Sequence, residues 1–171
     1  MLIALKPQAA DQAAFHPFGT LLMPGQPDFS CPEFTWQENL ATLSLADAEI
    51  GMVVGQNTGS YIQKELERHL RSAELIIPVK EDILLVLAKS DAFDHSPRAG
   101  DFAAFRVPAG CAAALHPGVW HQAPKCVAEK APAFVLYAAG TGEKDKQVIN
   151  LSAMGLEVSI HLCNDMEEGS L

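Results

Sequence analysis

At 171 residues, with 49% hydrophobic and 19% charged side chains, the chain can bury a substantial core, which excludes a disordered chain or a charged tail. Twelve Lys plus Arg against twenty-one Asp plus Glu give a formal charge of −9, so neither a nucleic acid nor an anionic membrane is an expected partner. The longest apolar run, Ile83 to Ala88, is strand-sized and far short of the roughly 20 residues of a membrane helix.

Met1 to Pro7 lacks the basic and long apolar regions of a signal peptide, so the cytoplasm is the expected location. Pro7 can open a first helical turn, and Ala9, Ala10, Ala13, Ala14 and Phe15 give helix-forming spacing, predicting a short N-terminal helix that ends before Pro17. Strands are then predicted at Gly19 to Met23, Thr35 to Leu45, Glu49 to Val54, Glu74 to Val79, Ile83 to Lys89, Phe102 to Val107, Ala112 to His116, Ala133 to Ala138 and Leu156 to Leu162. Short runs cut by eleven prolines and twelve glycines predict a mainly β sandwich or barrel. Nothing reads as a linker or repeat, so one domain over residues 1–171 is expected, with residues 164–171 a frayed acidic tail. Cys31, Cys111, Cys126 and Cys163 are too dispersed for a disulfide framework or zinc ribbon, and reduced thiols are expected.

The run Lys64 to Glu74 has two readings. Leu66, Leu70 and Ala73 lie at helical spacing with Glu67 and Arg71 at i,i+4, which predicts a charged helix. Read as strand, tight turn and strand, a period of two puts Glu67 and His69 on one face with Glu74 beside them. In the second reading Glu67, His69 and Glu74 supply oxygen and imidazole donors in one hairpin, and His121, after a Gly-containing turn, completes a mixed N/O site. No soft thiolate is present, so such a set suits zinc, nickel, manganese or iron, and spacing does not choose among them.

His69-x4-Glu74 resembles the end of the first cupin motif, with Glu67 in place of its first histidine, and Gly118-x-x-His121 resembles the end of the second. More narrowly, the chain resembles the ureidoglycolate lyases. The matching segments are Ala14 to Gly19, Glu65 to His69 followed by Ile76 to Val79, and Ala104-Phe105 through Gly110 to His116-x3-Trp120-His121-x-x-Pro124. There are departures. Leu70 follows His69 where the family usually has proline, Glu74 stands where it has glutamine, and Gln122 where it has a second histidine. The family's arginine ahead of the Glu-Arg-His strand is missing from Met52 to Asn57, and Arg68, Arg71, Arg98 and Arg106 are the candidate substitutes.

The resemblance implies a cupin-type double-stranded β-helix with a short N-terminal helix, a homodimer, and a small-molecule carboxylate substrate. It further implies cleavage of (S)-ureidoglycolate to glyoxylate and urea with a divalent metal, nickel for this family. On that reading Glu67, His69, Glu74 and His121 hold the metal, Glu67 also serves in catalysis, and His116 is the proton carrier. Two other functions compete: a cupin enzyme acting on a different hydroxy or amino acid, and a non-catalytic small-molecule-binding barrel. Plainer roles also stand beside these residues. The charged run can be a solvated helix, His116 can bond backbone at the turn into Pro117-Gly118, and Trp120 can be a core anchor. His16, His95 and His161 show no comparable pattern and are left out.

Overall fold

The computed structural model describes residues 1–45, 47–89 and 96–162. The acidic tail expected at residues 164–171, with Cys163 and His95, lies outside them. From the N-terminus run β1 (Leu2–Leu5), β2 (Gln8–Ala9), helix α1 (Gln12–Phe15), β3 (Gly19–Leu22), β4 (Phe29–Ser30), β5 (Thr35–Trp36) and β6 (Ala48–Gln56). Then follow β7 (Ile62–Gln63), β8 (Glu65–Arg68), β9 (Glu74–Pro78), β10 (Ile83–Ala88), β11 (Phe102–Val107), β12 (Ala112–Leu115) and β13 (Trp120–His121). The chain continues through β14 (Lys130–Ala138), helix α2 (Thr141–Lys144), β15 (Gln147–Asn150) and β16 (Glu157–Ile160). Among the described residues no helix is long and apolar enough to cross a membrane, and Cys31, Cys111 and Cys126 are free thiols.

Two sheets form the mainly β barrel expected from the sequence. One runs β15-β8-β13-β10-β11-β2 and the other β3-β12-β9-β14-β6. A third, β1-β16-β7, backs the first, and β4-β5 forms a separate ribbon. Strand β10 shows why the sequence folds this way: all six of its residues are buried. Ile83, Leu85 and Leu87 join the core between the two main sheets, with Ile76, Ala113, Leu115 and Phe105. Leu84, Val86 and Ala88 join a second core beneath the third sheet, with Leu66, Trp120, Leu151 and Val158. A strand packed on both faces reads as an unbroken apolar run, since neither face meets water.

Helix α1 begins later than Pro7, because Gln8–Ala9 pairs in parallel with β11. Its N-cap is Asp11, whose carboxylate accepts the Ala14 N–H at 2.9 Å. The helix delivers Phe15 into the barrel edge-on to Phe105, with ring centroids 4.9 Å apart. The strand expected over Thr35 to Leu45 stops at Trp36. The Glu38 N–H bonds the Asp28 carboxylate at 2.8 Å, and Asn39 takes a positive φ of 54°, which breaks the extended run. Conversely β6 and β14 extend to a nine-residue antiparallel ladder, from Gln56 opposite Lys130 to Ala48 opposite Ala138.

Candidate metal centre

Strand β8 resolves the ambiguous run in favour of extended chain. Leu66 is 1% exposed in the second core, and Arg68 on the same face lies 4.4 Å over the Trp120 ring. That pairing outweighs the helical propensity of a charged run, and it turns Glu67 and His69 to the barrel interior. The two acidic strands are not one hairpin, however. β8 pairs with β13 and β15 in one sheet, whereas β9 pairs with β12 and β14 in the facing sheet. Residues 70–73 are thus a corner between sheets, and Glu74 looks back at Glu67 and His69 from the opposite wall.

His121 arrives by a different device. At His116-Pro117-Gly118-Val119 the Val119 N–H bonds the His116 carbonyl at 3.3 Å, and Gly118 has φ 87°. A type II turn needs that left-handed residue, and Gly supplies it without strain. The Gly118 N–H also bonds the His69 carbonyl at 2.6 Å, so the turn is tied to the residue it faces. Two residues on, His121 stands in register with Glu67 across β13 and β8.

Both imidazoles are oriented by backbone. His69 Nδ1 lies 2.7 Å from the Asp145 carbonyl and His121 Nδ1 lies 2.9 Å from the Val119 carbonyl. A carbonyl only accepts, so each Nδ1 carries hydrogen and each Nε2 is left for the cavity. Glu74 Oε2 lies 3.4 Å from His69 Nε2 and 3.3 Å from His121 Nε2, although the latter approach lacks hydrogen-bond alignment and leaves His121 Nε2 buried without a bonded partner. Burial alone would raise the Glu74 pKa, but His121 first, then His69 and Lys146, outweigh it and hold the carboxyl below its ordinary 4.5. Burial likewise opposes a charged His121, yet the Glu74 carboxylate, helped by the Val119 carbonyl and Glu67, raises its pKa above 6.5.

These residues fit a divalent ion. Donors each about 2.1 Å from one ion lie about 3.0 Å apart at a right angle and about 3.4 Å apart at the tetrahedral angle, the range in which Glu74 meets the two imidazoles. Ligand atoms of Glu67, His69 and His121 all lie within 4.8 Å of one another. The orphaned His121 Nε2 and the carbonyl-fixed tautomers are what a metal-ligating histidine needs.

The cavity holding this set encloses about 250 Å³, and Glu67, His69, Glu74 and His121 all line it. His116 does not. It is exposed, and its backbone N–H bonds the Phe18 carbonyl at 2.9 Å, so the turn that presents His121 inward leaves His116 outside the cavity. None of Arg68, Arg71, Arg98 and Arg106 lines it either. Arg68 Nε bonds the Gln147 side chain at 2.8 Å under Trp120, and Arg106 pairs with Asp82 at 2.7 Å on the surface.

Three residues that the sequence did not single out complete the site. Tyr137 and Lys146 line the cavity, and Lys146 Nζ is ion-paired with Glu67 Oε2. Asp145 braces it: besides its carbonyl on His69, its carboxylate accepts the Leu70 and Arg71 N–H groups at 3.1 and 2.7 Å. The one local signal was the charged cluster Glu143 to Lys146 behind Gly140-Thr141-Gly142, a pattern of turns carrying polar groups.

A model of the ureidoglycolate lyase family matches residues 2–160. Among curated proteins none matches the sequence. Among solved structures, the chain is similar to Lactobacillus farciminis oxalate decarboxylase in its formate complex, at 15% identity and TM-score 0.42, covering 64% of this chain and 28% of that one. Bacillus subtilis oxalate decarboxylase at pH 4.6 gives 13% identity and the same TM-score of 0.42, covering 64% of this chain and 25% of that one. The chain thus spans about a quarter of the length of those enzymes.

Proposed function

The chain belongs to the ureidoglycolate lyase family, and on that premise we propose that it is a metal-dependent, cytoplasmic, homodimeric lyase that cleaves (S)-ureidoglycolate to glyoxylate and urea in purine nitrogen catabolism. The observation that carries this reading is the pair of carbonyl-oriented imidazoles, His69 and His121, meeting the buried Glu74 carboxylate in a small cavity. Glu67, His69, Glu74 and His121 would hold the ion. Imidazole and carboxylate donors suit nickel, the metal we propose, and also manganese, zinc and iron. When bound, such an ion supplies Lewis-acid polarisation and a template for the carboxylate and hydroxyl oxygens of the substrate.

Ureidoglycolate is a carbinolamine adduct, and its collapse needs little beyond proton movement. The hydroxyl loses a proton as the aldehyde C=O forms, the C–N bond breaks, and the urea nitrogen gains a proton. With His116 outside the cavity, Glu67 is the group we place in this role. It is half-buried, and its carboxylate, besides helping to hold the ion, would take the hydroxyl proton and return it to the leaving nitrogen. Val53, Pro124 and Val135 give the cavity an apolar wall.

The test is release of glyoxylate and urea from racemic ureidoglycolate by metal-stripped protein, before and after reconstitution with nickel, manganese, zinc or iron, beside His121→Ala. Metal-dependent turnover of one enantiomer, lost in the variant, is expected. No turnover with any of the metals would remove ureidoglycolate as substrate and leave a different hydroxy or amino acid as the reading.

A further inference from the structure

A cavity that already holds two carboxylates, Glu67 and Glu74, cannot take an anionic substrate without compensating charge. A divalent ion balances those two, and the carboxylate of the substrate is a third. Among the described residues lining the cavity, Lys146 is the sole Lys or Arg. Its ammonium carries three donors, of which Glu67 Oε2 engages one, and its side chain remains 42% exposed at the cavity rim, where an entering anion would meet it.

The backbone beneath Lys146 is fixed on both sides. Asp145 is held by its two carboxylate bonds to the 70–71 corner, and Gln147 opens β15 opposite Arg68 and accepts from its guanidinium. The flexible stem therefore starts from a set position one residue from the carbonyl that orients His69.

We infer that Lys146 is the specificity-determining cation of this chain: it binds the carboxylate of a small 2-hydroxy acid substrate while staying on Glu67. This rests on the lyase reading for the identity of the substrate, but not for the binding of the anion. The experiment compares wild type, Lys146→Met and Lys146→Arg by calorimetry with glycolate, which has a hydroxyl and a carboxylate and no ureido group, in metal-stripped and nickel-loaded protein. Lys146→Met is expected to weaken glycolate by at least about tenfold and to raise KM for ureidoglycolate, while Lys146→Arg restores most of the affinity. Nickel should bind Lys146→Met at least as tightly as wild type, since Lys146 competes with the ion for Glu67. Unchanged glycolate affinity in Lys146→Met, or a fall in nickel affinity, would overturn the assignment. If wild type shows no ureidoglycolate turnover but glycolate binding still depends on Lys146, the substrate reading fails and the anchor stands.

Discussion

Replacing Asp145 by alanine removes the acceptor of two backbone N–H groups at the corner between the main sheets, at 3.1 Å from Leu70 and 2.7 Å from Arg71. Hydrogen bonds to an ionised group contribute about 1.5–3 kcal/mol each, but water reaches this corner and can replace the lost acceptor, so the pair together is worth about 2 kcal/mol. For a chain of this length that lowers Tm by about 4–8 °C. The larger effect falls on the site. The Asp145 carbonyl holds His69 Nδ1 at 2.7 Å, and loosening that segment frees the imidazole to turn. Loss of such an outer contact weakens metal binding by about 10–100-fold. Thermal unfolding and metal titration of Asp145→Ala and Asp145→Asn read the two effects separately, with Asn intermediate because it keeps one acceptor oxygen. A variant with lowered Tm and wild-type metal affinity would refute the link between the Asp145 side chain and the His69 orientation.

Gly19→Ala would place a Cβ 1.9 Å from the Ala114 carbonyl oxygen, where β3 lies against β12, and no side chain can swing aside to admit it. Urea unfolding should show a loss of about 3 kcal/mol or more. His116→Ala, at an exposed turn position, should leave metal affinity and turnover within about twofold of wild type, as usual for surface substitutions. In metal-free protein the Glu74 contribution is present above 4.5 and lost as pH falls through its lowered value, while the His121 contribution is full below 6.5 and lost as pH rises through its raised value. Apo stability measured by thermal unfolding across pH should therefore peak between 4.5 and 6.5, whereas metal affinity should rise with pH above 6.5 as His121 gives up its proton.

What the sequence made legible follows from how much apolar area each element buries. β10 is readable because its apolar side chains alternate between two cores, and the bounds expected for Phe102 to Val107 are those observed. β2, β7 and β13 have two residues each, too few to show any period, and they exist because neighbouring strands supply their hydrogen bonds. Glu67, His69, Glu74 and His121 were accessible through motif spacing, and the structure gathers them in one cavity. The arrangement behind them was not, since it places Glu67 and Glu74 on opposite sheets. Asp145 meets His69 across 76 positions, and no local pattern records such a contact. His116 lies only five residues from His121 in sequence, but the turn at Gly118 leaves it exposed and off the cavity lining, which sequence spacing does not reveal.

The metal centre itself is tested most directly by calorimetric titration of stripped protein with nickel, manganese and zinc, for wild type, His69→Ala and His121→Ala. One equivalent bound by wild type with proton release, and at least about a hundredfold weaker binding in both variants, is the predicted result. Binding unchanged in either variant, or no stoichiometric binding by wild type, would contradict a centre built on His69, Glu74 and His121.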